Sequence, residues 1–347
     1  MRIAIVGATG NMGTALLRRI RAVQREGYPG GLEVIGVVRR LPDAAAKPYN
    51  AASWHAVDVS AEDAPDRLAE AFAGCDAVVH LAWVVQPSHD ENAMRRINVD
   101  GTAAVLEAAA RAGVGHVVCA SSVGAYRARP KDRRVDESWP ADGIPSSSYS
   151  RFKGEQEALL DRFALQHPEV KVARLRPSLI FQAKAGSEVR RFFVGPLLPV
   201  GGVHRLRLPV LPYPKAFIFQ AAHARDVAEA YWRVLDRGAV GAFNIAGEPV
   251  LGPDAVASLF GARRWVPLPT GLVRGVHAAA WRLRLLAADP GWTDMAAGAP
   301  LMDTTRAREE LGWAPRESSL EALREVVAGV GEGLGVEASP PLHPEDG

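Results

Sequence analysis

The residues best suited to chemistry are Tyr149-Ser150-Arg151-Phe152-Lys153. Residues four apart on a helix share a face, so this spacing sets a phenol beside an ammonium. A neighbouring cation lowers a phenol's pKa and makes Tyr149 a usable proton donor or acceptor. The plainer alternative is a surface pair near a helix start. Only six Tyr and six Lys occur in the chain, so chance seldom supplies the pair. Ser121-Ser122 follows an apolar run at 117–120. If that run is a strand of an open α/β sheet, the pair lies at its carboxyl end, where ligands bind. A serine there orients a substrate oxygen, or serves only as a turn residue.

A second group of residues suits a dinucleotide. Gly7-Ala8-Thr9-Gly10-Asn11-Met12-Gly13 follows the first apolar run and opens a helical pattern. Glycines at such a point let the backbone turn tightly and approach a pyrophosphate seated on the helix N-terminus. The spacing is GxxGxxG, not GxGxxG, and the alternative is an ordinary tight turn. The next strand ends Val37-Val38-Arg39-Arg40. An NAD site usually has an acid there for the ribose 2′-hydroxyl, whereas an Arg pairs with a 2′-phosphate. NADP is therefore favoured over NAD, the alternative being a solvated pair of charges. Asp58, in Ala56-Val57-Asp58-Val59, either accepts from the adenine amino group or is a loop residue.

The elements that must position these groups alternate. Apolar runs at 3–6, 33–38, 77–81, 114–120, 171–175 and 242–245 read as strands. Helical spacing recurs at 13–25, 64–73, 91–112, 148–166 and 226–235. Continuous apolar strands between helices predict a Rossmann-type, doubly wound parallel sheet, an α/β fold. After Arg176-Pro177 the pattern changes to Gly, Pro and Arg, with a short strand expected at 217–219 and helices at 254–260, 271–287 and 318–330. We assign 1–177 plus 216–245 to a dinucleotide-binding domain, and 178–215 plus 246–335 to a smaller, mixed substrate lobe. The tail 336–347 is expected to be disordered.

Composition narrows the class. The 347 residues carry 41 basic and 39 acidic side chains, a net charge of +2, which gives no electrostatic case for a nucleic-acid or membrane partner. Two cysteines, Cys75 and Cys119, cannot build a disulfide framework or a structural zinc site, and no HExxH pair is present, so no metal is expected. The N-terminus runs straight into a strand, and no apolar run of membrane-spanning length occurs. A soluble, cytoplasmic enzyme with a small-molecule substrate is the default expectation.

Taken in order, these pieces resemble an extended short-chain dehydrogenase/reductase of the NAD-dependent epimerase/dehydratase superfamily. The resemblance runs from Met1 to about Val330. It rests on the Gly7-to-Gly13 loop, Asp58-Val59, His80-Leu81-Ala82, Asn98 within Ile97-Asn98-Val99-Asp100-Gly101-Thr102, and Ser122 with Tyr126 four residues on. It continues through Tyr149-to-Lys153, Arg176-Pro177-Ser178, the helix start at His223-to-Asp226, Gly241-Ala242-Phe243-Asn244, and Leu311-Gly312-Trp313-Ala314-Pro315. The resemblance implies that Ser122 holds the substrate oxygen, Tyr149 is the acid/base, and Lys153 tunes Tyr149 and binds the nicotinamide ribose. It places Thr9, Asn11 and Met12 in the phosphate loop with Gly7, Gly10 and Gly13. Arg39, Arg40, Asp58 and Val59 fall on the adenosine side. Leu81, Ala82, Trp83 and Asn98 form the cofactor-side wall, and Pro177, Ser178 and Ile180 the loop beside the nicotinamide. His80 and His223 carry no transferred role and are read as packing or hydrogen-bonding residues. Members often dimerise through helices such as 91–112 and 148–166, and others are monomers, so a homodimer is one open arrangement.

One stretch departs from the nucleotide-sugar members. They often carry an Arg-x-Phe-Asn run after the sixth strand, where this chain reads Leu175-Arg176-Pro177-Ser178-Leu179-Ile180-Phe181-Gln182. That favours an oxidoreductase interconverting a carbonyl and a secondary alcohol by the Ser-Tyr-Lys mechanism. The alternative is a nucleotide-sugar epimerase or dehydratase with a retained cofactor. The cluster Lys184, Arg190, Arg191, Arg205, Arg207 and Lys215, opposed only by Glu188, is the feature on its side, unless it is a solvated surface. A non-catalytic NADP-binding regulator is a third reading, disfavoured because Tyr149 and Lys153 are both present. Trp83, Val84, Val85 and Phe181 would suit an apolar carbonyl compound at the site's mouth, or ordinary packing.

Overall fold

The structure, a computed structural model, describes residues 1–191 and 207–344. Its centre is one sheet of seven strands: β1 (Arg2–Val6), β2 (Glu33–Val38), β3 (Ser53–Ala56), β4 (Ala77–His80), β5 (His116–Ala120), β6 (Lys171–Pro177) and β7 (Gly241–Ile245). They lie in the order β7-β6-β5-β4-β1-β2-β3, every pair parallel. Side chains alternate across a strand, so both faces need a cover. Ile3 and Ile5 pack with Leu16 and Ile20 of helix Asn11–Glu26 and with Tyr231 and Val234 of helix Ala224–Arg237. Ala4 and Val6 face the other way, onto Leu68, Leu106 and Leu160 of helices Ala64–Phe72, Gly101–Arg111 and Ser148–Gln166. This is the doubly wound, Rossmann-type sheet expected from the apolar runs.

The chain leaves β1 towards β2 on one side and later places β4 on the other. That reversal opens a crevice at the carboxyl ends of the strands. Two backbone hydrogen bonds bring chain into it: Gly7 N–H to Val37 O at 2.8 Å, and Leu81 N–H to Val6 O at 2.8 Å.

Several elements depart from expectation. The helix expected over 91–112 is α-helical at Glu91–Arg95 and Gly101–Arg111, with a π-helical turn at Arg96–Asp100 between them. The wider turn accompanies an outward demand on Asn98. Its side chain accepts from Val84 N–H at 2.7 Å and donates to Val84 O at 3.0 Å, so it holds the loop after β4 at both backbone groups. No strand forms at 217–219: Phe219 makes an isolated bridge with Leu251, and the strand lies at Ala221–His223, paired with Leu179–Phe181. Two further small sheets pair Arg134–Val135 with Leu301–Met302 and Val210–Tyr213 with Arg264–Pro267. The helix expected over 271–287 is Thr270–Arg282, closed by Arg284 in the left-handed region at φ 57°.

The tail is the largest correction. Composition suggested disorder over 336–347, yet its described part, 336–344, is packed. Leu342 is fully buried. Val336 N–H donates to Leu342 O at 2.7 Å, Asp43 N–H donates to Ala338 O at 3.1 Å, and Ser339 Oγ donates to Thr9 O at 2.8 Å. A polar, Pro-rich segment is ordered here because neighbouring loops satisfy its backbone groups. Leu342→Ala should therefore destabilise the protein by about 2 kcal/mol or more. Urea denaturation would measure this, and an unchanged midpoint would mean that the strap carries no packing energy.

Candidate active site

The helix Ser148–Gln166 is capped by Ser147, whose side chain accepts from Ser150 N–H. Its first turn presents Tyr149 to the crevice. Ser122, just past β5, is buried and accepts from Gly124 N–H at 3.0 Å, and its hydroxyl lies near enough to Tyr149 to pull the phenol's pKa down. Gly124 leaves the room that the phenol ring needs: a Cβ there would lie 2.8 Å from Tyr149 Cε1. Trp83 meets Tyr149 edge-on at 6.0 Å between ring centroids, and Trp292 packs at 5.2 Å with a tilt of 40°.

Lys153 lies one turn further on and is buried. Its Nζ donates to Ala120 O at 2.7 Å and to Gln156 Oε1 at 2.9 Å, and sits 3.4 Å from the centroid of the Trp83 ring. Burial pulls the ammonium down to about 7, against the opposing pull of Cys119 and Glu157. The expectation that Lys153 depresses the Tyr149 phenol needs correction. Burial raises the phenol's pKa, with the hydrogen bond to Ser122 as the opposing influence. The physical reason is orientation: the hydrogen bonds of Nζ run to the β5 carbonyl and Gln156, under an indole.

The glycine loop follows β1. Gly7 takes φ 84°, and a Cβ on it would lie 2.7 Å from Ala82 N, so only glycine permits this approach to the 81–82 segment. Gly10 caps helix Asn11–Glu26 with no side-chain hydrogen bond, and no acid stands in the first turn. The helix N-terminus thus remains a suitable seat for a phosphate. Thr9 O is taken by Thr14 Oγ1 at 3.0 Å and by Ser339 Oγ, and Asn11 accepts from Gln182 Nε2. Met12 and Ile180 pack together against Ala224 and Ala228. Arg39 and Arg40 are exposed beyond β2. Asp58 accepts from Ser60 N–H at 3.0 Å and Ser60 Oγ at 2.7 Å. Desolvation opposes its ionisation, but these bonds and the charge of Arg39 hold its carboxyl below the usual range. Val59 packs beside Gly101, and Pro177 ends β6 opposite Ile245.

The two histidines without a transferred role are structural. His80 Nε2 lies 3.0 Å from Thr102 Oγ1, and burial lowers its pKa to about 3, which keeps it neutral. His223 caps helix Ala224–Arg237 by accepting from Arg225 N–H at 3.0 Å.

These elements, in this order, coincide with a known family. The chain matches the NAD dependent epimerase/dehydratase family over residues 3–246. The chain belongs to that family. An uncharacterized protein of Mycobacterium tuberculosis (strain ATCC 25618 / H37Rv) is 29% identical over 344 residues, 97% of this chain and 31% of that protein. This chain thus spans about a third of that relative's length. A putative dihydroflavonol 4-reductase of Synechocystis sp. is 30% identical over 167 residues, 45% of this chain and 43% of that protein. The dTDP-glucose 4,6-dehydratase DesIV of Streptomyces venezuelae, solved with NAD and TYD bound, superposes with a TM-score of 0.69 at 20% identity, over 96% of this chain and 97% of that one. The family takes its name from NAD, a nicotinamide cofactor. Among the described residues no helix is long and apolar enough to cross a membrane.

The residues present fit such a cofactor. Beyond the bare helix N-terminus, Ser178 Oγ and Trp83 Nε1 are buried without a hydrogen-bond partner among the described residues. The resemblance leads us to expect Trp83 in the cofactor-side wall and Ser178 in the loop beside the nicotinamide, and a buried donor left unpaired is costly. The basic cluster of the variable segment is less telling. Arg191 donates to Pro341 O, Arg207 lies against Gly261, and Arg205 falls outside the described residues.

Sequence reasoning missed the group that fixes Tyr149 and Lys153 in place. Glu157, four residues beyond Lys153, is only 3% exposed at its side chain. It accepts from Ser121 Oγ at 2.5 Å, Arg174 Nη1 at 3.0 Å, Arg176 Nε at 2.9 Å and Arg176 Nη2 at 2.7 Å. Burial opposes its charge, but these donors bring its pKa down to about 2. The available signal was its place in the register 149, 153, 157, on one helix face. Because the native pKa is below the ordinary 4.5, this carboxylate stabilises the fold fully above that value and progressively less as pH falls towards 2. Glu157→Gln should cost about 3–5 kcal/mol near neutrality, since it deprives the buried Arg176 of its carboxylate, while Arg174 keeps Asp161 at 2.6 Å. Urea titrations from pH 7 to 2.5 should show the gap from wild type narrowing on acidification, and a pH-independent gap would refute this account.

Proposed function

We propose that the chain is an NADP(H)-dependent oxidoreductase that interconverts a carbonyl and a secondary alcohol on a small organic substrate. The observation that carries this reading is that Ser122 stands beside Tyr149 at the carboxyl end of β5, with Lys153 one helical turn away. A bound nicotinamide supplies or accepts hydride at the substrate carbon. The protein's share is acid–base chemistry and orientation. Ser122 fixes the substrate oxygen. The Tyr149 phenol, kept protonated by burial, gives its proton to that oxygen on reduction and takes it back on oxidation. Lys153 supplies a cation whose pKa of about 7 lets it exchange a proton near neutrality.

Arg39 supports NADP over NAD. It is exposed at the tip of β2, where an acid would otherwise contact the 2′-hydroxyl, and Asp58 lies near enough to influence it electrostatically. Gly7, Gly10, Gly13, Asn11 and Met12 would hold the pyrophosphate. Asp58, Val59 and Arg40 would hold the adenosine side. Leu81, Ala82, Trp83, Asn98, Pro177, Ser178 and Ile180 would border the nicotinamide half. A reductase reading also accords with the name of the Synechocystis relative.

Tyr149→Phe should lower kcat on the order of 100-fold or more while NADPH affinity stays unchanged. Stopped-flow and steady-state rates would test it, and retained turnover would remove Tyr149 from the proton path. Arg39→Asp should reverse the ratio of NADPH to NADH affinity, read by cofactor fluorescence titration. If wild type instead prefers NADH, the role given to Arg39 fails. Stoichiometric nicotinamide dinucleotide released on denaturing the purified protein would favour an epimerase or dehydratase with a held cofactor.

A further inference from the structure

Behind Trp292 lies a cavity of about 330 Å³, between helix Thr270–Arg282 and residues 286–292. Val273, Val276, Ala280, Leu286 and Ala288 line it, with His277 as the polar exception. His277 has nothing left to offer a ligand: Nδ1 lies 2.8 Å from Thr293 Oγ1 and Nε2 lies 3.0 Å from Ala288 O. No Arg or Lys lines the space. A diphosphate would lose its hydration there and gain no partner, at a cost far above any packing gain. A hydrocarbon would lose only its contact with water.

The cavity is rigidly tied to the acid/base. Trp292 forms its inner wall and packs directly on Tyr149. Asp289 joins the two elements: its Oδ2 accepts from Ser148 Oγ at 2.8 Å, and its Oδ1 from Gly291 N–H at 2.8 Å. Gly291 sits so close to the Ser146 carbonyl that any Cβ would collide with it. Its wall is apolar and partly open to solvent, with Val276 62% and Leu286 40% exposed. Exposed apolar side chains grouped at the mouth of an apolar cavity mark a ligand site more often than a bare surface.

We propose that this cavity binds the hydrocarbon portion of the substrate, so that the enzyme acts on lipophilic carbonyl compounds or alcohols and not on nucleotide sugars. The proposal rests on the oxidoreductase reading given above and adds the substrate class to it. The test uses the neutral fluorescent probe N-phenyl-1-naphthylamine, which undergoes no redox chemistry. Wild type should bind one probe per chain, displaced by 2-undecanone and not by UDP-glucose. Ala280→Trp, which fills the cavity, and Val276→Asp, which puts a charge on an exposed part of its wall, should each weaken probe binding at least tenfold. Unchanged circular dichroism and NADPH affinity would show that both variants are folded. Probe binding that is absent in wild type, equal in both variants, or displaced by UDP-glucose overturns the proposal. A protein that binds the probe through this cavity yet reduces no ketone overturns the oxidoreductase reading and leaves the apolar site standing.

Discussion

A carboxylate inside a protein persists as an anion only if donors replace the water it has lost. Glu157 meets that condition with Ser121, Arg174 and Arg176, and every other placement in the site follows from it. Arg174 and Arg176 belong to β6, Ser121 follows β5, and Glu157 stands on the helix that carries Tyr149 and Lys153. One charge thus fixes the height of that helix over two adjacent strands. Arg176 extends the constraint to Tyr126 at 3.0 Å, and Tyr126 to Asn244 of β7 at 2.6 Å. Ser122 and Tyr149 therefore meet across two rigid bodies whose separation is set elsewhere. Such preorganisation by supporting groups is what acid–base catalysis demands of a scaffold.

Lys153 is under an opposing constraint. Its ammonium is desolvated beneath Trp83, so the folded state binds its proton less tightly than the unfolded chain does. Between the native value of about 7 and the ordinary 10.5 the unfolded state holds more protons, and stability gains from this group as pH rises through that window. Below it, the fold carries the full cost of a buried cation. Cation–π contact with the indole and the Ala120 carbonyl offset part of that cost. A site that retains such a group at the expense of stability is poised for a ligand.

Much of this was legible in the residues. Uninterrupted apolar runs such as Ile3 to Val6 allow little but a buried parallel strand, and the Tyr149–Lys153 spacing has meaning only on a helix. The glycine loop was readable because only a strand-to-helix turn uses Gly7 as it does. What escaped was non-local. Nothing near Glu157 in sequence announces Arg174 and Arg176. Nothing near Thr293 announces that it would occupy a nitrogen of His277. The π-helical turn was hidden because Asn98 and Val84 are fourteen residues apart. The order of 336–344 was hidden because a polar, proline-rich string satisfies its backbone in water as readily as against Asp43. The pKa of Tyr149 could not be read from a spacing, since it depends on where the ammonium points.

The hydrogen bond from Ser339 to Thr9 spans 330 positions of the chain. The glycine loop is made long before the segment 336–344, and the second donor to its Thr9 carbonyl comes only with Ser339, after Thr14 has supplied the first. Contacts this distant in sequence form late, because the loop they close must be ordered first. The sheet and its helices can gather as the chain lengthens, but the glycine loop reaches its final form only when residues 336–344 arrive. Newly made chains would thus pass through a stage in which the sheet is folded while residues 336–344 have yet to dock on the glycine loop.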